Sequence, residues 1–248
     1  MRGLWQLAWL EIKIFVREPL GLFGTVGVPV LVFVVAARLM QGAASVPTSR
    51  EAAFLATGLP VLAAILMSIS AVVSLVTIIS IYREGGILKR LRATPLHPAT
   101  ILTAHVLVKL LFTTVTLALL IAAGRRYYAP DTAGEIVRFA AALLFSTAGV
   151  LSIGFLIASV VPTARFAQPL AGIIFYPMIA LSGLFFPIAL LPPWLQIVAR
   201  LMPMTYTVSL LQGVWRGDPL AAHLVDIGAI AVFAAVFTAL ASRFFRWE

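Results

Sequence analysis

The sequence predicts an all-α integral membrane protein. It has six transmembrane helices, an N-terminal interfacial helix, a short amphipathic helix on a charged segment, and a re-entrant helical hairpin on the opposite, outer side. Three observations carry this. Of 248 residues, 62% are hydrophobic and 11% charged, whereas soluble domains run at roughly half apolar and a quarter charged. Several charge-free runs reach the roughly 20 residues a helix needs to cross a hydrocarbon core of about 30 Å. The charges gather at the ends of those runs, most densely in 82–98.

The net charge of +9 does not point to nucleic acid, because the positive residues flank apolar runs, where anionic head groups and insertion bias favour them. A nucleic-acid footprint needs a basic face interleaved with stacking aromatics, and none is visible. The absence of cysteine excludes disulfides and thiolate metal sites. Glu11 and Lys13 interrupt the first apolar stretch, a poor fit to a cleaved secretory signal. Residues 1–248 read as a single transmembrane domain.

Residues 4–18 place Trp5, Trp9, Ile12 and Val16 at helical spacing, with Lys13 and Arg17 on a neighbouring stripe. That is the pattern of a helix lying in the interface. The spans are predicted at 19–40, 52–82, 98–123, 138–161, 167–186 and 220–242. The run 52–82 is 31 residues without a charge, or roughly 46 Å as a helix. It overshoots the bilayer core by roughly 16 Å and is expected to carry the charged segment beyond the membrane. The third span contains His105 and Lys109. Started from that depth, Lys109 lies only about 16 Å further along, so both residues are expected near the head groups, with Lys109 snorkelling. Residues 125–138 read as a polar loop.

Five prolines inside 166–199 are too many for one helix. They suggest a span at 167–186 followed by an outer hairpin of short helices at 187–213. Asp226 is expected near the start of the last span, at an interface. Six spans put both termini on one side. If that side is the cytoplasm, it holds ten Lys and Arg against seven outside, Lys109 aside, in the direction of the positive-inside bias. Small residues such as Gly149, Ser152 and Gly154 are expected to be helix-packing contacts.

The segment 83–97 joins two long spans. Gly85 and Gly86 permit a sharp change of direction, and Pro95 pushes Thr94 out of helical geometry. Between them fits one short helix, 87–93, with Ile87, Leu88 and Leu91 on one face and Lys89 and Arg92 elsewhere. Such a helix, held off the bilayer by a rigid strut, has the shape to dock in a groove on a soluble partner. The competing reading is that Arg83, Lys89, Arg90 and Arg92 do no more than fix topology.

The segment resembles the cytoplasmic coupling region of the ABC-2 family of ATP-binding-cassette transporter permeases, through Glu84, Gly86, Leu88, Lys89, Arg90, Leu91, Thr94 and Pro95. Ile87 stands where the family more often has Thr. A second region agrees: Ser182, Gly183, Leu184, Phe185, Phe186 and Pro187, then Leu191, Pro192 and Trp194, then Leu201, Pro203, Thr205 and Tyr206. In the family these form the outer hairpin between the fifth and sixth spans. Within it the chain most resembles daunorubicin-resistance-type drug and lipid exporter subunits.

The resemblance implies a dimeric permease in the cell membrane with both termini cytoplasmic. Its second copy would be the same chain or a paralogue, and a cytoplasmic ATPase subunit would bind ATP and Mg. Glu84 to Arg92, Thr94 and Pro95 would form the coupling site. Gly183, Phe185, Phe186, Pro187, Pro192, Trp194, Pro203 and Tyr206 would form the outer hairpin, and the cargo would be drug-like, lipid or otherwise amphipathic. Read from the residues alone, the hairpin aromatics fit an interfacial belt as well as a gate.

No stretch fits a phosphate-cradling G-x-x-x-x-G-K-[ST] loop, and neither H-E-x-x-H nor G-x-S-x-G occurs. No cofactor or metal is therefore expected in this chain. His97, His105 and His223 are scattered in sequence, and Asp226 is the sole carboxylate inside a predicted span. An ATP-independent carrier or channel, the main alternative, usually needs more. A membrane enzyme acting on lipids is the third.

Overall fold

The computed structural model describes residues 2–42, 58–87, 98–124, 133–161 and 163–244, and in these it is all-helical. Five of its helical stretches are long and apolar enough to cross a membrane: Pro19–Leu39, Leu59–Glu84, Thr103–Ala123, Glu135–Val160 and Leu220–Phe244.

The N-terminal helix α1 (Arg2–Arg17) turns Trp5, Trp9 and Val16 outward and buries Ala8, Glu11 and Phe15. The spacing of i, i+3 and i+7 puts these three on one face. The first span is built in three pieces: α2 (Pro19–Leu22), a π-helical turn (Phe23–Gly27) and α3 (Val28–Gly42). Pro29 explains the break. A proline clashes with the carbonyl four residues back, here that of Thr25. The wider turn, in which Val28 N–H reaches Phe23 O, accommodates it.

Helix α4 (Leu59–Glu84) is the centre of the bundle, with Leu59, Val61, Ile65, Leu75 and Val76 almost fully enclosed. A helix apolar on every side packs on every side. Its 26 residues rise roughly 39 Å, about 9 Å more than a hydrocarbon core. Residues 52–57 of the predicted span lie outside the described residues.

Helix α5 (Pro98–Gly124) packs on α1, and helix α6 (Ala133–Val160) packs on α4. Gly154 and Gly149 make close approach possible: a Cβ on Gly154 would sit 2.9 Å from Val72 Cγ1, and one on Gly149 2.5 Å from Ile230 Cγ2. As expected, these are packing contacts. Ser68 and Thr147 hydroxyls add a hydrogen bond of 2.9 Å between α4 and α6.

Two predicted boundaries need correction. Helix α6 starts at Ala133, so 133–138 is helix rather than loop. Glu135 in its first turn favours the helix through the positive end of the backbone dipole. Helix α7 (Ala164–Ala180) stops six residues short of 186. The chain leaves it through Leu181–Phe186, where Gly183 takes φ +88°, a left-handed conformation open to glycine.

A 3₁₀ turn (Ile188–Leu190), helix α8 (Pro193–Arg200) and helix α9 (Pro203–Trp215) follow, and α9 is packed into the core against α6 and the last helix. That last helix, α10 (Leu224–Phe244), is entered through a 3₁₀ turn, Leu220–His223. Ser159 Oγ lies 3.3 Å from Ala241 O, so the C-terminal ends of α6 and α10 sit side by side.

Candidate functional site

The charged segment leaves from the end of α4, and that end is fixed by three devices. The helix closes in a glycine turn: Gly85 N–H donates to Ile81 O at 2.9 Å and Gly86 N–H to Arg83 O at 3.0 Å. Gly86 sits at φ +65°, which any other residue adopts at a cost of about 1–2 kcal/mol. Second, Arg83 reaches across to the end of α6. Its guanidinium donates to Val161 O at 2.5 Å and to Ala158 O at 2.8 Å. The last carbonyls of a helix carry the negative end of its dipole, so an arginine here both satisfies and neutralises them.

The third device is a buried polar node. Tyr82 Oη donates to Glu11 Oε1 at 2.5 Å. His105 Nδ1 lies 3.3 Å from Glu11 Oε2, close enough for attraction but off the line of a good hydrogen bond. Lys109 Nζ donates to Ser74 Oγ at 2.6 Å and lies 4.3 Å from the centre of the Phe15 ring, a cation–π distance. Burial of Glu11 by itself raises its pKa. The close approach of His105, the hydrogen bond from Tyr82 and the Lys109 charge outweigh that and hold it below the ordinary value. The node ties α1, α4 and α5 together at the base of the charged segment.

This overturns the expectation of a snorkelling Lys109. Lys109 and His105 are each 2% exposed, turned inward onto α1 and α4. The physical reason is α1, which brings a carboxylate and a Phe15 ring to the one face where α5 carries His105 and Lys109 four residues apart. Solvation by Glu11, Ser74 and Phe15 replaces solvation by head groups.

At the opposite end of the bundle, Ser209 Oγ and His223 Nδ1 approach Asp226 Oδ2 at 2.9 and 2.8 Å, pinning α9 to the first turn of α10. Asp226 thus stands in the first turn of α10. The hairpin aromatics divide. Phe185, Phe186 and Trp194 are exposed. Tyr206 turns back, its hydroxyl donating to Arg200 O at 2.7 Å, and packs 6.1 Å from Phe233 of α10. Thr205 caps the same turn by donating to Ala199 O at 2.5 Å. Pro192 and Pro203 stand at the starts of α8 and α9, where a missing N–H costs nothing.

Residues 2–215 match the family described as ABC-2 type transporter. The chain belongs to that family. Over 96% of its length it is 26% identical to the daunorubicin resistance ABC transporter permease protein DrrB1 of Streptomyces coeruleorubidus, covering 84% of that protein. It is also 27% identical to nodulation protein J of Rhizobium meliloti (strain 1021), over 34% of this chain and 32% of the relative. Nodulation protein J of Neorhizobium galegae matches at 26% over 33% and 31%. The chain spans about a third of the length of these nodulation proteins. It is an ABC-2 type permease, a multi-pass membrane protein with five candidate spans among the described residues. In this family ATP binding belongs to a separate ATPase subunit.

Of the expected coupling residues, Glu84, Gly85, Gly86 and Ile87 are brought together at the end of α4, and Ile87 is helical. Leu88, Lys89, Arg90, Leu91, Arg92, Thr94 and Pro95 lie outside the described residues. Among the described residues no group of three His, Asp or Glu could hold a metal. Sequence reasoning missed Glu11 and Tyr82. The signal available was Glu11 itself, a carboxylate three and four residues from Ala8 and Phe15 on what is the apolar face of α1.

Proposed function

We propose that the chain is the membrane-spanning half of an ATP-driven exporter for amphipathic cargo, and that the segment 83–97 is its docking point for a cytoplasmic ATPase subunit. The observation that carries this is the fixed end of α4. Arg83 binds it to α6 and Tyr82 binds it to α1, so a displacement of the segment moves the central helix and two neighbours together. A loosely tethered basic loop, sufficient to set topology, needs no such bracing.

We take the permease to have six spans, a homodimeric or heterodimeric assembly, and both termini in the cytoplasm. The sixth crossing is α7. Its 17 residues rise roughly 26 Å, within reach of a span of about 17–25 residues. The chain has to travel from Val161, beside Arg83, to the Asp226 end. The place of Ala241 beside Ser159 supports a C-terminus on the same side as α1. In the docked complex Ile87, Leu88 and Leu91 are the contact face, Glu84 anchors the start of the helix, and Lys89, Arg90 and Arg92 hold the segment inside. Gly183, Phe185, Phe186, Pro187, Pro192, Trp194, Pro203 and Tyr206 form the outer closure. Movement there is expected to follow α9, which the core grips.

The experiment is affinity purification from the native host. Wild-type permease is expected to bring down an ABC ATPase subunit, and Glu84→Lys and Leu91→Asp to lose it while inserting normally. Purification with no ATPase, or full retention by both variants, overturns the docking role and returns the carrier or channel reading.

A further inference from the structure

His223 ends the 3₁₀ turn that leads into α10, and its ring is buried. Each ring nitrogen faces a different carboxylate. Nδ1 is 2.8 Å from Asp226 Oδ2, in the first turn of α10. Nε2 is closed to solvent and makes no hydrogen bond, yet lies 3.5 Å from Asp218 Oδ2, in the turn that leaves α9.

The backbone fixes this arrangement. Gly217 at φ +89° reverses the chain after α9, a conformation that suits glycine. Asp218 N–H then closes the turn onto Gly213 O at 3.0 Å. Gly213 is also the floor under the imidazole, since a Cβ there would collide with Nε2 and Cε1. The other charge at the group is Arg216, whose Nη2 is 3.9 Å from Asp218 Oδ2 on the exposed side. Helix α6 packs beside α9 and α10. Its Glu135 and Arg138 make no ion pair with the group among the described residues.

A neutral imidazole carries one N–H and one lone pair. With the proton on Nδ1, the Nε2 lone pair is turned toward the Asp218 carboxylate, acceptor against acceptor. With the proton on Nε2, the same conflict arises with Asp226, at the shorter distance. Imidazolium donates from both nitrogens and removes both conflicts.

We propose that His223, Asp218 and Asp226 form a proton-binding site. One proton enters from solvent by way of Asp218, whose side chain is 44% exposed, and binds Nε2. The ring then staples the turn after α9 to α10. Loss of the proton frees Asp218 and leaves Nδ1 bonded to Asp226. Because α9 continues from the hairpin, the proton sets how firmly the hairpin is held. That consequence for transport rests on the exporter reading, and the proton site itself does not.

The test uses full-length permease in nanodiscs. Hydrogen exchange of the Arg216, Gly217 and Asp218 amides, each bonded back into α9, is corrected for intrinsic rates. It is compared at about pH 5.5 and about pH 8, on either side of the ordinary histidine pKa of about 6.5. A proton held more tightly in the closed turn than in the open one adds protection at low pH that fades as pH rises. Protection is expected to be about tenfold or more higher at the lower pH, as for a hydrogen bond between charged partners. Asp218→Asn and His223→Gln are each expected to bring that ratio near one. A variant that merely loosens the turn exchanges faster at both pH values and keeps the ratio. In spectra of isotope-labelled histidine, the His223 ring, assigned by its loss in His223→Gln, is expected to carry protons on both nitrogens at the lower pH.

Equal protection at the two pH values in wild type, an unchanged ratio in Asp218→Asn, or a His223 ring with one bare nitrogen at the lower pH overturns the site. Failure of ATPase co-purification leaves these results standing, so the two readings fail separately.

Discussion

Changing Tyr82 to Phe removes one oxygen, the hydroxyl that donates to Glu11 Oε1 across 2.5 Å. Glu11 is 6% exposed, so water does not simply take the vacated place. A hydrogen bond to a buried carboxylate contributes about 1.5–3 kcal/mol. The apolar contacts between α1 and α5, chiefly Ala8 and Phe15 with Ala104, Val108 and Phe112, are untouched. The expected outcome is therefore a looser α1 in a folded protein. At about 2 kcal/mol, local opening becomes roughly 30-fold more frequent. Hydrogen exchange of the 4–17 amides in nanodiscs reads this directly, with the α4 and α6 amides as internal controls. Glu11→Gln is expected to do at least as much, because it also strips Lys109 of its counter-charge. Unchanged exchange over 4–17 in both variants refutes the node as the clasp of α1.

The same clasp has a pH signature. Because the Glu11 pKa is held below its ordinary value of 4.5, its contribution is complete above that value and is lost as pH falls through the folded one. Exchange over 4–17, corrected for intrinsic rates, is expected to rise in acid below pH 4.5 and to lose that rise in Glu11→Gln. Arg83→Gln deletes the bonds to Val161 and Ala158. It is expected to lower stability by about 2 kcal/mol or more in detergent melts and to reduce ATP hydrolysis by the complex, with Arg83→Lys intermediate. Gly86→Ala is expected to cost only about 1–2 kcal/mol in the same melts, yet to impair coupling by re-aiming the segment. Gly213→Ala would place a Cβ 1.9 Å from His223 Nε2. The repacking it forces is expected to cost about 1–3 kcal/mol and to separate α9 from α10, measured as faster exchange over 203–215.

The long spans were legible because a charge-free run of bilayer length has few other uses in a protein, and 98–123 became Pro98–Gly124 almost unchanged. What failed was reading polarity as loop. Glu135 and Arg138 lie inside α6, where a first-turn carboxylate and an outward arginine suit a helix end. The span 167–186 was drawn too long because the apolar run continues past the helix, and only the left-handed Gly183 shows where the backbone turns. The break before α3 had its cause in view at Pro29, but a π-helical turn has no signature in hydropathy. The node at the end of α4 was not legible. Its members come from positions 11, 82, 105 and 109, and hydropathy along α5 counts Lys109 as an expense without seeing the carboxylate that α1 delivers.

The most direct measurement is photo-cross-linking from a photoreactive residue placed at Leu91 in native membranes. The account predicts a single major adduct containing a cytoplasmic ABC ATPase, diminished by Glu84→Lys. A photoadduct formed only with lipid or with a second copy of this chain would contradict it.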